Sequence, residues 1–207
     1  MSLSTIYSLC LVSGTFLTTD SCIAISGLAS HPFGSWQPHG NDKSYMWIRD
    51  ALATSLPSFR FLTYGYDTAL ANSQSFQLIP DLAGRLIQEL RSNGWASPGA
   101  KELVFLAHSL GGILLKQALI MLANSDETCM LDRVRGAVCF GVPNKGMDVA
   151  SLEMVTKSQP NEDLVSDLSV GSQYLKTLGG QFDGHSKTRK LRFYWAYETK
   201  QTPTVVV

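Results

Sequence analysis

Short apolar runs alternate with longer amphipathic segments along most of the chain. Apolar runs of about 4–8 residues are typical of strands that are buried on both faces. The sequence predicts such strands at residues 22–26, 60–64, 103–106, 136–140 and 191–197. Apolar residues at helical spacing predict helices at residues 46–56, 80–94, 113–123 and 161–178. This alternation predicts βαβ units and a mainly parallel sheet.

Proline and glycine set the predicted helix boundaries. Pro57 is expected to close the first helix, and Pro80 fits the first turn of the second, which ends near Gly94. Gly179 and Gly180 are expected to end the helix over residues 161–178.

Ser109 lies between an apolar strand and an apolar helix, in the run Ala107-His108-Ser109-Leu110-Gly111. The run differs by one residue from Gly-x-Ser-x-Gly, because Ala107 replaces the first glycine. That pattern predicts a nucleophile elbow, in which a strained serine turns the chain from strand to helix and presents its Oγ above the sheet edge. The alternative is an ordinary turn with an N-cap serine.

Composition narrows the class of protein. The chain has 207 residues, of which 44% are hydrophobic and 16% are charged, which predicts one globular domain. Seventeen Lys and Arg residues balance 17 Asp and Glu residues, so no nucleic-acid partner is expected. The basic run at residues 187–192 is interpreted as a solvated approach to a strand. The chain has no metal-binding cysteine pair, phosphate loop or dinucleotide fingerprint, so no metal and no cofactor are expected.

Four cysteines show no paired spacing; they are Cys10, Cys22, Cys129 and Cys139. Cys22 and Cys139 fall within apolar runs, where buried reduced thiols are expected. A reducing, intracellular compartment is therefore predicted rather than secretion.

Residues 1–20 are left unassigned in the domain prediction. The apolar stretch at residues 6–17 is too short to cross a bilayer, and it lacks the positively charged start of a signal peptide. An extra strand or a poorly determined amino end are the alternatives.

Five short blocks resemble the lipase-like serine esterase domain of the α/β-hydrolase superfamily. The resemblance covers residues 22–207, and it is closest to the serine-active-site-containing protein family, including fungal members, with GPI inositol-deacylase a more distant relative. The blocks are ISGL at 25–28 with HPFGSW at 31–36, MWIRD at 46–50, YGYD at 64–67, HSLGG at 108–112 and FGVP at 140–143. The run from Gln159-Pro160-Asn161 to residue 182 also resembles that family.

The resemblance implies a three-layer α/β-hydrolase fold over residues 21–207, expected to lack its C-terminal strand and helix. It also implies ester hydrolysis by a serine, an acid and a histidine, in that chain order. Ser109 fits the nucleophile, and Glu198, directly after the last predicted strand, fits the acid. Asp148 is the fallback acid.

No histidine of the chain fits the position of the catalytic base. The family's histidine follows the acid, and none of the four histidines in this chain does. His108 adjoins the nucleophile and is expected to point away from Oγ, His31 lies in the predicted oxyanion loop, and His39 follows it. His185 precedes Glu198, so it fits as a base only with Asp148. The chain is therefore expected to be a fragment or a shortened product without its base.

The predicted oxyanion hole uses backbone amides, which in this fold come from the first loop and from the residue after the nucleophile. Leu28 and Leu110 are the predicted donors, and Gly27 permits close approach. The alternative for Gly27 is a simple turn at the end of a strand.

Two classes of function remain open. The first is a serine hydrolase of carboxylic esters, including lipid esters. The second is a catalytically impaired binding or regulatory module. The expected ligand is an ester or lipid substrate. Peripheral membrane association and a place in a larger multidomain protein are also expected. Family resemblance points to the mitochondrion or the endoplasmic reticulum membrane.

Overall fold

A six-stranded sheet organises the fold. The computed structural model describes residues 8–13, 20–38, 43–67, 69–126, 128–197 and 199. The strands lie in the order β1-β3-β2-β4-β5-β6; β1 is antiparallel to β3, and all other neighbours are parallel. Their bounds are β1 (Ser8–Ser13), β2 (Ser21–Ile25), β3 (Arg60–Gly65), β4 (Leu103–His108), β5 (Val134–Phe140) and β6 (Arg192–Ala196).

Helices cover both faces of the sheet. They are α1 (Ala53–Ser55), α2 (Ile79–Ser92), α3 (Leu110–Asn124), α4 (Cys129–Arg133), α5 (Ala150–Thr156), α6 (Glu162–Ser166) and α7 (Gln173–Gly184). A π-helical turn at Ile48–Leu52 precedes α1, and 3₁₀ turns lie at Gly34–Trp36 and Thr188–Lys190. No helix in these described ranges combines the length and hydropathy that crossing a bilayer requires.

Two apolar cores hold the layers together, one on each face of the sheet. Alternate residues of a strand point to opposite faces. Ile23 and Ile25 of β2 therefore belong to the larger core, which includes the buried faces of α2 and α3. Cys22 and Ala24 belong to the smaller core on the other face, with Trp36 and Met46 among its members. The predicted three-layer α/β-hydrolase fold with a mainly parallel sheet is confirmed.

Strand β1 lies within the segment that the domain prediction left unassigned. It pairs with β3, with Leu9 opposite Tyr64. Of the two alternatives for residues 1–20, the extra strand is the one that the structure shows at residues 8–13.

The prediction of one helix over residues 161–178 is wrong. The segment forms α6 and α7, separated by a turn in which Gly171 has a φ of 80°. Gly179 and Gly180 do not end α7, which continues to Gly184. Leu175, Leu178 and Phe182 are buried along this helix, and their burial outweighs a helix-propensity cost of about 1 kcal/mol for each glycine.

The predicted helix over residues 46–56 is helical but irregular. The π-helical turn occupies its first half and α1 its second. The Asp50 carboxylate accepts a hydrogen bond from the Met46 amide at 2.7 Å and pairs with Arg49 at 2.6 Å. These contacts lower the pKa of Asp50, first through the Arg49 hydrogen bond and then through the Met46 amide.

Candidate active site

Ser109 is the single residue between the end of β4 and the start of α3. Its φ of 51° and ψ of −125° are rare for any residue with a side chain and cost about 1–3 kcal/mol. It stands at the N-cap of α3, but its side chain makes no capping hydrogen bond. The alternative of an ordinary N-cap serine is therefore wrong. The residue is partly exposed.

Glycines allow β2 and the chain after it to pack directly on this turn. A Cβ on Gly111 would lie 2.5 Å from the Ser26 carbonyl oxygen and 2.7 Å from that of Ile25. A Cβ on Gly27 would lie 2.9 Å from Cβ of Ser109. The Ser109 amide donates to the Phe140 carbonyl at 2.9 Å, which extends the β4–β5 ladder by one residue.

The predicted oxyanion donors lie on either side of this turn. Leu110 is the first residue of α3, so its amide has no acceptor within the helix. Leu28 follows Gly27 in the turn after β2, and the Ser30 hydroxyl donates to its carbonyl at 3.0 Å. Within the described part of the chain, neither the Leu28 nor the Leu110 amide donates to a protein acceptor. Their role in catalysis stays a prediction.

Two histidines near this edge have other structural contacts. His31 accepts hydrogen bonds at Nδ1 from the Phe33 and Gly34 amides, both at 3.2 Å, and so closes the 3₁₀ turn. His108 Nδ1 would lie 3.1 Å from a Cβ on Gly27, so its imidazole lies against that glycine. His39 lies outside the described residues. Among the described residues, no imidazole forms a hydrogen bond with the Ser109 hydroxyl.

His185 is far from Ser109, which contradicts its candidacy as the base. It follows the end of α7, and its Nδ1 accepts from the Lys187 amide at 3.2 Å. Lys187 in turn donates from Nζ to the Ala123 carbonyl at 3.2 Å, in the last turn of α3. At about 1.5 Å per residue, that turn is roughly 20 Å from Ser109 along the helix axis. No proton transfer spans this distance.

The structure describes only one of the two candidate acids. Glu198 lies outside the described residues. Strand β6 ends at Ala196, at the carboxyl edge of the sheet where β4 also ends before Ser109. Asp148 is exposed, and its carboxylate accepts from the Ala150 amide at 3.0 Å, at the start of α5. Because its intended partner His185 is remote, the fallback pair of Asp148 and His185 is wrong.

The aromatic residues near the site are largely core. Trp36 is buried, and its ring meets Trp47 and Phe140 with centroids 6.1 and 6.3 Å apart. Phe33 is partly buried beneath the Arg49 guanidinium, which is 5.6 Å from the ring centroid. Packing within the protein therefore explains these aromatic side chains, and no bound acyl chain is needed to explain them.

Lys116 is a buried cation in the middle of α3. Its Nζ donates to Asn144 Oδ1 at 2.7 Å and lies 5.2 and 4.9 Å from the ring centroids of Phe182 and Trp195. Burial lowers the pKa of Lys116, and the charge of Asp183 acts against that shift. Lys116 therefore joins α3 to the loop after β5 and to β6, the strand before Glu198. The sequence signal was one lysine within an apolar helix.

The Gln159-Pro160-Asn161 run forms hydrogen bonds with the loop that follows β3. Gln159 Oε1 accepts from the Ser73 amide at 3.1 Å. Asn161 Nδ2 donates to the carbonyls of Ala69 and Leu70 at 2.9 and 3.1 Å. This part of the resemblance therefore corresponds to a contact between two loops at the edge of the sheet.

Cys22 and Cys139 are thiols without a disulfide partner. Cys22 and Cys139 are buried, and burial raises the pKa of each thiol to about 12. Across the described residues, no group of three or more His, Cys, Asp or Glu side chains could hold a metal ion.

No protein-family model matches the chain. An alignment of 198 residues, covering 86% of this chain, is 25% identical to Protein SERAC1 of Mus musculus. Protein SERAC1 of Bos taurus is 26% identical over the same share. The chain spans 30% of the length of these curated relatives. The resemblance to fungal members and to GPI inositol-deacylase stays a prediction.

Solved structures of lipases share the fold. The lipase BlEst2 of Bacillus licheniformis in its mature form superimposes with a TM-score of 0.63 and 14% identity, covering 90% of this chain and 70% of that chain. The phospholipase PlaB of Legionella pneumophila gives a TM-score of 0.61 at 15% identity, covering 86% of this chain and 37% of that chain. The chain therefore has a lipase-like hydrolase fold.

Proposed function

We propose that the chain is a serine hydrolase of carboxylic esters, with Ser109 as the nucleophile. The observation that carries the proposal is the backbone of Ser109, which is strained between β4 and α3 while its hydroxyl caps nothing. Strained backbone conformations cluster at functional sites, and here the strain is not explained by a cap from the side chain. The amino end of α3 adds a positive potential where an oxyanion would form.

In the proposed reaction, Ser109 Oγ attacks the ester carbonyl carbon while a general base accepts its proton. The negative carbonyl oxygen of the tetrahedral intermediate accepts hydrogen bonds from the Leu28 and Leu110 amides. The C–O bond to the alcohol then breaks, and the alcohol leaves with the proton. Water hydrolyses the acyl-serine by the reverse sequence. Glu198 is the proposed acid that orients the base.

A lipid acyl ester is the proposed substrate class. Two structural neighbours support this proposal, because one is named a lipase and the other a phospholipase. Peripheral membrane association, an intracellular location and a place in a multidomain protein belong to the same proposal. The relatives named SERAC1 support the last of these, because this chain spans only 30% of their length.

A non-catalytic binding or regulatory module is the second candidate. One observation favours it: among the described residues, Ser109 has no hydrogen bond to an imidazole. Biological function that survives Ser109→Ala with partner binding intact would support this candidate.

The reaction class can be tested with fluorogenic substrates. We expect the folded chain to release 4-methylumbelliferone from its butyrate and palmitate esters, since both present an acyl carbonyl to Ser109. The phosphate ester of the same fluorophore and a matched acyl amide are the controls, and neither should be cleaved. A folded chain that releases nothing from either carboxylic ester, or that cleaves the phosphate ester, would contradict the proposal.

A further inference from the structure

Positive charge is concentrated at one end of the sheet, although the chain has no net charge. Arg135 lies near the start of β5, and Arg192 is the first residue of β6. The turn before β6 adds Lys187, Arg189 and Lys190, with no acidic residue between positions 187 and 192. The basic run and Arg135 are far apart in sequence, so the cluster is formed only by folding.

Four of these five cations line a groove of about 670 Å³. Arg135, Lys187, Lys190 and Arg192 contribute to its walls, and Asp132 is the one carboxylate among its described lining residues. Pockets of roughly 300–1,000 Å³ are typical for small-molecule ligands. The groove therefore suits a small anion better than an extended polyanion such as nucleic acid.

The backbone that carries the cations is held from two sides. Thr188 is buried, and its hydroxyl donates to the His185 carbonyl at 3.0 Å. A Cβ on Gly136 would lie 1.9 Å from the Arg192 carbonyl oxygen, so glycine lets β5 and β6 approach closely. These contacts hold the backbone from which the charged side chains extend.

Some of the charge is already engaged, and some is not. Arg135 pairs with Glu102, and Lys187 donates to the Ala123 carbonyl at 3.2 Å. Lys190 and Arg192 are exposed, and neither forms an ion pair with another described residue. These two side chains keep their donors available for an added anion.

The groove is separate from the Ser109 site. It opens at the amino end of β5, whereas the Ser109 amide bonds to Phe140 at the carboxyl end of that strand. At about 3.3 Å per residue, the two ends of β5 are roughly 20 Å apart. No Ser, Cys or His is among the described residues that line the groove, so it offers binding without a nucleophile.

We propose that this groove binds a ligand that carries two or more phosphate charges. The guanidinium of Arg192 can donate two parallel hydrogen bonds to phosphate oxygens, and Lys190 supplies a compact ammonium. Two cations without a carboxylate partner match a divalent or more highly charged anion. The basic run is an exposed approach to β6, as interpreted from the sequence, and Arg135 adds a further cation from β5. This site does not depend on ester hydrolysis at Ser109.

Two probes test the proposal with the full chain. Inorganic pyrophosphate, titrated calorimetrically, represents a soluble phosphate ligand. Phosphatidylcholine vesicles with about one fifth phosphatidic acid, used in sedimentation, represent an anionic lipid headgroup. We expect the wild type to bind at least one probe. The double variant Lys190→Glu/Arg192→Glu should bind it about tenfold more weakly or worse, since charged hydrogen bonds are lost.

The matched control is Lys157→Glu/Lys176→Glu, which changes the net charge equally at exposed positions outside the groove. It should keep the wild-type affinity. Pyrophosphate binding that the groove variant loses identifies a soluble ligand, and vesicle binding alone identifies a lipid headgroup. If neither probe binds, or if the control loses as much affinity, the proposal is overturned. Should the charge reversal unfold the chain, Lys190→Gln/Arg192→Gln replaces it.

Discussion

With a general base in place, substitution of Ser109 by alanine is expected to lower kcat/KM for carboxylic esters by about a thousandfold or more, because the attacking oxygen is removed. The fold should be unaffected, since the side chain makes no capping hydrogen bond. The measurement is the release of 4-methylumbelliferone from its butyrate ester. Ser125→Ala, at the other end of α3, is the matched control and should keep wild-type turnover.

Added imidazole sharpens this comparison. It can accept the serine proton if the chain has no base of its own in place. The rate of the wild type, corrected for the rate of Ser109→Ala at each imidazole concentration, should then rise. Equal turnover in wild type and Ser109→Ala, with and without imidazole, would show that the serine takes no part in hydrolysis.

Gly111→Ala is expected to lower the free energy of unfolding by about 3 kcal/mol. The new methyl group would overlap the backbone carbonyls of Ile25 and Ser26 at 2.7 and 2.5 Å, and a backbone cannot turn aside as a side chain can. Either β2 or α3 must shift, and the Ser109 turn shifts with it. Urea unfolding of the purified variant measures the effect.

Gly84→Ala is the control for this substitution. Gly84 lies in α2, and its nearest neighbour would be Met121 Cε at an ordinary 3.8 Å. Alanine there should stabilise the chain by about 0.5–1 kcal/mol through helix propensity. If both variants unfold at the wild-type urea concentration, the close packing of β2 on the turn is not as described.

The sequence predicted the central strands well because they are buried on both faces. Strands β2, β3 and β4 were predicted to within about two residues at each end, and the elements on either side of Ser109 followed from the same pattern. Local glycine and proline signals were less informative. Gly94 lies just past the end of α2 as expected, but Gly179 and Gly180 lie inside a helix whose apolar face is buried.

The chemistry of the site was less predictable, since chain order does not give distance. His185 was a candidate base by sequence, yet folding places its turn at the opposite end of α3 from Ser109. Lys116 has no motif, and its contacts with Asn144, Phe182 and Trp195 arise only from packing. The roles of Glu198, Leu28 and Leu110 remain predictions.

Trapping the nucleophile is the most direct test of the account. A fluorophosphonate reacts with the oxygen of an activated serine and leaves an adduct that peptide mass mapping assigns to one residue. We expect an adduct on Ser109 in the folded chain and none after denaturation, since the reactivity depends on the turn that holds the hydroxyl. A folded chain with no adduct, or with its adduct on another serine, would contradict it.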